Sequence, residues 1–384
     1  MSWIKMFADA TEASEDLIDD LVFKIKKKLK WNSPVVIMPY RTYGTRTNIY
    51  IKGRVLENKL IKPASGKESL LNNLSNMYKR FQSDEVSGVT ISAVYHDKTY
   101  EIITDEEGYY SLNFSPVGQP NIHSLWHPVS LKIKDSPIPW EDQEYIAEVL
   151  VPPVDAEFGV ISDIDDTVVQ TSATQFLAMA KTVFLNNAHS RLPFPGVSAF
   201  YNALLLGKSG KRNNPFFYVS SSPWNMYDLL KEFLDLNKIP EGPLLLRDFG
   251  LQDNKLISSG HQAHKTKEIV NILKMYPNLN FVLIGDSGQQ DAYIYKEIAT
   301  LYPERILAIY IRDLGLEKTS KAINELIATS VGQNIDITLT KDAEQAAKHA
   351  AQKGLIFVEA IPEIKIDKKQ DKGELPGKEE NTIV

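Results

Sequence analysis

Five short apolar runs, each closed by a polar cluster, recur through the second half of the chain: 158–161, 215–219, 243–246, 281–284 and 306–311. Runs of this kind read as strands buried on both faces of a parallel sheet. Between them the apolar period lengthens to that of a helix. Met226, Leu229, Leu230, Phe233 and Leu234 share one face after Ser222 as N-cap and Pro223 at the first helical position. Lys265 opens a second helix through Ile269, Ile272, Leu273 and Tyr276, and a third runs through Ile294, Ile298 and Leu301. A helix at 318–330, a short strand at 335–339 and a helix at 343–353 complete the pattern. Alternating strands and helices predict an α/β domain with a doubly wound parallel sheet over 155–363.

The first half is patterned differently. Segments 35–38, 48–55, 89–95, 99–103, 109–114 and 129–133 are short, rich in β-branched and aromatic residues, and partly alternating. That predicts antiparallel strands with one wet face, with a tight turn at Thr104-Asp105-Glu106-Glu107-Gly108-Tyr109 and a short helix at 69–81. The turn and strand pattern resembles the transthyretin-like, or carboxypeptidase-regulatory, β-sandwich, so an antiparallel sandwich domain is expected over 34–151. Val151-Pro152-Pro153-Val154-Asp155 is the linker. Residues 1–33 form an expected N-terminal amphipathic helix: Leu17, Ile18, Leu21, Val22, Ile25 and Leu29 share a face, acids lead and lysines 24–30 end it. Two readings stand for it, a helix docked on its own protein or a basic end resting on an anionic membrane. Residues 364–384, charged and poor in apolar side chains, are expected to be a disordered tail.

Composition narrows the classes. With 384 residues, 43% of them hydrophobic and 24% charged, the chain has material for two or three cores. A net charge of −6 provides no general basic field, so no nucleic-acid partner is expected. The absence of cysteine excludes disulfides, thiol catalysis and cysteine-based zinc sites. There is no apolar core of signal-peptide length in residues 1–20 and no membrane-spanning apolar run, so the expected location is cytoplasmic, with the membrane surface as the peripheral alternative.

The chemistry gathers where strands end. Asp163 and Asp165 close the first run, Ser220 the second, and Asp286 the fourth, with Asp291 five residues on. Open parallel sheets bind ligands at those carboxyl ends. In near-extended chain Asp163 and Asp165 project to one side, and like charges so close call for a cation, for which oxygen ligands suit magnesium.

The order Asp163-x-Asp165-x-Thr167, Ser220, Lys265, then Gly285-Asp286-x-x-x-x-Asp291 resembles the motifs of the haloacid dehalogenase superfamily. The resemblance implies a Rossmannoid sheet and phosphoryl transfer. Asp163 would be the nucleophile, becoming an aspartyl-phosphate, and Asp165 the general acid and base. Magnesium (Mg2+) would be held by Asp163, Asp286 and the Asp165 backbone carbonyl. Ser220 and Lys265 would stabilise the phosphoryl oxygens, Asp291 would orient Lys265 or a metal-bound water, and Thr167 would hold the loop. Ser221 or Ser222 could replace Ser220, Lys265 could be a solvated helix-start lysine with Lys267 nearby, and His261 and His264 read as turn residues. Arg247 would bind substrate phosphate or pair with Asp248.

Longer stretches narrow the likeness. Asp163 to Val168, Tyr218-Val219-Ser220-Ser221-Ser222-Pro223-Trp224, Leu245 to Gly250, His264-Lys265 and Ile284 to Asp291 resemble the actin-patch-associated phosphatidate phosphatases. Pro39-Tyr40-Arg41-Thr42-Tyr43-Gly44-Thr45 and Gly53-Arg54-Val55-Leu56 extend the likeness to bacterial members. That implies magnesium-dependent cleavage of phosphatidate to diacylglycerol. The long proline-rich tail of eukaryotic members has no counterpart here, which leaves cytoskeletal partners without support. An apolar stretch at 174–187 lies where the superfamily inserts substrate-selecting caps, and reads either as core packing or as a wall for an acyl chain. The competing functions are a phosphatase or phosphotransferase acting on a soluble monoester, and a non-catalytic interaction module.

Overall fold

The computed structural model describes residues 34–57, 85–116, 123–164, 196–247, 257–288 and 290–371. The expected helices at 12–31, 69–81 and 174–187, together with Asp165, Thr167 and Asp248, lie outside the described residues.

Among the described residues the first half holds eight strands: β1 (Val35–Pro39), β2 (Thr42–Tyr43), β3 (Ile49–Glu57), β4 (Thr90–Tyr95), β5 (Lys98–Ile103), β6 (Tyr109–Phe114), β7 (Trp126–Asp135) and β8 (Glu144–Leu150). They make a three-stranded sheet, β1-β3-β6, and a five-stranded sheet, β2-β8-β7-β4-β5. Ile37, Ile51 and Val55 of the first share a core with Ile91, Leu131 and Val149 of the second. The alternation read from the sequence is thus real, and its apolar phase faces inward. The Thr104–Tyr109 turn carries the chain from one sheet to the other. Asp105 Oδ1 accepts the Glu107 and Tyr109 N–H groups at 3.1 and 2.8 Å, and Gly108 takes a positive φ of 72° that a side chain would strain.

The described residues of the second half form one parallel sheet of six strands: β9 (Gly159–Asp163), β10 (Phe216–Pro223), β11 (Leu244–Arg247), β12 (Phe281–Asp286), β13 (Ile306–Arg312) and β14 (Ile337–Thr340). Their order is β11-β10-β9-β12-β13-β14. Among the described residues seven helices accompany the sheet: α1 (Val197–Leu206), α2 (Tyr227–Leu236), α3 (Ile257–Met275), α4 (Asp291–Leu301), α5 (Glu317–Val331), α6 (Ala343–Gln352) and α7 (Ile361–Asp371). Val160 and Ile164 pack with α1, α2, α6 and α7 on one face. Ile161 packs with α3, α4 and α5 on the other. Both faces are covered, so the strands are apolar throughout, as the runs predicted.

Several expectations need correcting. The helix expected to open at Ser222 and Pro223 begins later: β10 runs on to Pro223, held by its pairing with Arg247 of β11, and a single 3-10 turn at Trp224–Met226 precedes α2. Lys265 does not open its helix, because α3 starts eight residues earlier at Ile257. His261 and His264 therefore lie in a helix and not in turns. The tail expected from 364 is helical to Asp371, because Ile364 is fully buried in the core and Lys368 pairs with Asp342 and Glu344 at 3.0 and 2.7 Å.

Candidate active site

The strand register builds the site before any side chain is considered. Asp163 stands opposite Val219 on β10, and Ser162 opposite Ile284 on β12. Ser220 and Asp286 therefore each lie one residue beyond the level of Asp163, on the strands flanking it. Alternation sends Ser162 to one face, where its hydroxyl lies 2.7 Å from the Tyr201 hydroxyl. It sends Asp163 to the other face, towards α3 and α4.

There Lys265 meets it. The Lys265 ammonium lies 2.7 Å from Asp163 Oδ1 and 2.9 Å from Asp291 Oδ1, with all three side chains at most 4% exposed. Burial of Lys265 disposes of the alternative that it is a solvated lysine; Lys267 is the exposed one. Asp291 also accepts the Asp286 backbone N–H through Oδ2 at 3.2 Å, so one carboxylate ties the cation to the end of β12. Gly285 makes this possible: a Cβ there would come within 2.5 Å of the Asp291 carboxylate. Asp286 in turn accepts the Gly288 N–H at 2.7 Å.

Two carboxylates, Asp163 and Asp291, thus hold one ammonium, and Asp286 stands near enough to Asp163 to act on its charge. Burial pushes the Asp163 carboxyl up, Asp291 and Asp286 push it further, and Lys265 only partly offsets them. Burial alone would lower the Lys265 ammonium, but Asp163 and Asp291 outweigh it and raise it. The two shifts describe one cluster with more anion than cation, in which Lys265 stays charged between Asp163 and Asp291. This excess of hard oxygen on adjacent strand ends fits a divalent cation. Among the described residues no three acidic or histidine side chains already form a metal shell.

On the other side of Asp163 all three serines are buried. Ser220 Oγ accepts the Ser222 N–H at 3.0 Å, which folds the strand end into a turn. The Ser221 hydroxyl is buried without a hydrogen-bond partner among the described residues, so it too remains open as a donor. Arg247 is buried on β11 beside Pro223. His264 of α3 lies with its Nε2 3.4 Å from the Leu245 carbonyl of β11; burial lowers its pKa, and Glu268 offsets that only in part. The structure thus brings Asp163, Ser220, Ser222, Arg247, Lys265, Asp286 and Asp291 to one edge. Trp224 and Tyr40, packed at this edge from two different halves of the chain, were not singled out from the sequence as site residues.

Comparison with known proteins follows the same contour. Residues 158–313 match the family model described as the catalytic domain of phosphatidate phosphatase APP1. Over 155 residues the chain is 37% identical to phosphatidate phosphatase APP1 of Saccharomyces cerevisiae, covering 40% of this chain and 25% of that one. Over 173 residues it is 32% identical to an uncharacterized protein of Schizosaccharomyces pombe, covering 44% and 27%. The chain spans about a quarter of the length of these curated relatives. A carbohydrate acetylesterase of Xanthomonas citri overlaps 84% of this chain and 75% of its own at 10% identity, but the TM-score of 0.27 is too low to speak for the fold. The likeness read from the motifs is borne out over residues 158–313.

Proposed function

With the likeness of residues 158–313 to the APP1 catalytic domain as premise, we propose that this chain is a magnesium-dependent phosphatidate phosphatase of the haloacid dehalogenase type. The observation that supports it most is the buried Asp163–Lys265–Asp291 cluster, set between Asp286 and the serine turn at one sheet edge.

In this reading Asp163 attacks phosphorus through a carboxylate oxygen. The new bond is Oδ–P, and the bond broken joins phosphorus to the lipid alkoxide. Asp165 gives the departing oxygen its proton, then accepts one from the water that attacks the aspartyl-phosphate, releasing phosphate and restoring both residues. Lys265 and the serine turn neutralise the equatorial oxygens. Asp291 keeps Lys265 aimed. Asp163 and Asp286 would hold the magnesium ion, with the Asp165 carbonyl added by the resemblance; bound there, it supplies the positive charge that three carboxylates lack.

Phosphate release from phosphatidate vesicles and from soluble monoesters, with and without magnesium, tests the proposal. Cleavage of soluble monoesters far faster than phosphatidate would remove the lipid assignment and leave a general phosphatase. The basic end of the 12–31 segment is the proposed contact with an anionic leaflet, where each lysine adds about 1 kcal/mol. A chain starting near Ser33 should then co-sediment less with such vesicles. Asp286→Ala is expected to raise the magnesium concentration needed for half-maximal rate by about tenfold or more, since a hard cation loses one of its few anionic ligands. An unchanged magnesium titration would remove Asp286 from the ligand set.

A further inference from the structure

The segment Tyr40–Gly44 belongs by sequence to the sandwich, yet its side chains are built into the other half. Tyr40, 2% exposed, lies in the core beneath α2, and Tyr43 in the core beneath α3. The Tyr40 ring stacks on Trp224 at 4.9 Å and 13°, and lies 4.2 Å from the Tyr227 ring. The Arg41 backbone N–H donates to the Tyr227 hydroxyl at 2.6 Å. Its guanidinium donates to Asp235 at 3.0 Å and Glu241 at 2.8 Å, which follow in and after α2, and to Glu148 of β8 at 3.3 Å. Tyr43 meets Phe217 of β10 edge-on at 5.6 Å. Farther from the serine turn, the Tyr276 hydroxyl donates to the Gly44 carbonyl at 2.9 Å. A sandwich cation completes the set, with the Lys52 ammonium 4.1 Å over the Trp224 ring.

Most of these contacts fall on one element: β10, the turn after it, and α2. That element carries Ser220, Ser221 and Ser222, and Trp224 comes two residues after the last of them. The serine turn is fixed from inside by its own Ser220–Ser222 bond and from outside by a ring and a cation that the sandwich supplies. A segment needed only to join two domains would have no reason to concentrate its contacts there.

We infer that Tyr40, with Lys52, is a positioning residue for the Ser220–Trp224 turn, so that the sandwich forms part of the catalytic machinery. This rests on the reading of that turn as the phosphate-binding element. Tyr40 touches no substrate; it sets where the serine hydroxyls stand, and displacement of about an ångström at such a site costs up to about a hundredfold in rate.

The test uses the full chain and three variants. Tyr40→Leu should lower kcat/KM for a soluble phosphate monoester by about ten- to a hundredfold, weaken inhibition by orthophosphate, and speed amide exchange in the peptide covering 218–227. Tyr40→Phe, which keeps the stack, should restore all three. Tyr276→Phe, which loosens the same segment away from the turn, should lower the melting temperature and leave the three readouts at wild-type values. If Tyr40→Leu does not fold, Lys52→Met should shift the same readouts in the same direction by less. The inference is overturned if Tyr40→Leu, or Lys52→Met in its place, matches Tyr276→Phe in exchange and in orthophosphate inhibition. If the wild-type chain hydrolyses no monoester, the phosphatase reading fails separately, and exchange at 218–227 still decides whether Tyr40 holds the turn.

Discussion

Asp163→Asn is expected to abolish phosphate release, by about a thousandfold or more, in a protein that still folds. An amide cannot form the acyl phosphate, while its shape leaves β9 undisturbed. Stability should change little, and the signs explain why. The variant loses the 2.7 Å ion pair to Lys265 but also removes one carboxylate from a cluster that has too many, and Lys265 keeps Asp291 at 2.9 Å. A net change within about 2 kcal/mol is expected from offsetting losses of this kind. Phosphate release and thermal melting on the same preparation check both halves. Retention of near wild-type turnover, with contaminating phosphatase excluded, would end the aspartyl-phosphate mechanism.

Lys265→Met is expected to do the opposite, damaging stability as much as activity. Methionine fills most of the lysine volume, so the dominant cost is electrostatic. Asp163 and Asp291, 3% and 0% exposed, would face each other with no cation between them. Removing one partner of a buried ion pair costs about 3–5 kcal/mol. Denaturant unfolding in the presence of a chelator measures this without interference from a bound ion. The double variant Lys265→Met with Asp291→Asn should recover part of that loss, because the two side chains share one interaction. Additive losses in the double variant would mean that Lys265 contributes by packing and that the charge balance drawn above is mistaken.

The parallel strands were readable because burial on both faces leaves a continuous apolar run, as in Phe281–Ile284 and Ile306–Ile311. Their carboxyl ends were readable for the same reason: an acid or serine after such a run is conspicuous. β8 was not read as a strand, because Ile146, 48% exposed, breaks the alternation on its wet face and Ala147 marks the buried face only weakly. The start of α3 was hidden by Ser258, Ser259, Gly260 and His261, weak helix formers that a tertiary context overrides. At Ser222 and Pro223 the local capping signal was strong and lost to sheet pairing with β11. α1 was missed because Val197–Leu206 is apolar on nearly every side and shows no single helical face. The Tyr40–Trp224 and Arg41–Tyr227 pairings left no local trace, since nothing within a window of the chain links positions so far apart.

That separation matters while the chain is being made. Arg41 and its Tyr227 partner are 186 residues apart, and synthesis at about 5–20 residues per second puts roughly ten to forty seconds between their emergence. During that interval the sandwich strands can pair, but Tyr40 and Tyr43 have no core to enter, and the Arg41 guanidinium has only Glu148 of its three carboxylates. The nascent chain therefore presents a bare aromatic and cationic patch to whatever waits at the ribosome exit, until β10 and α2 arrive to cover it.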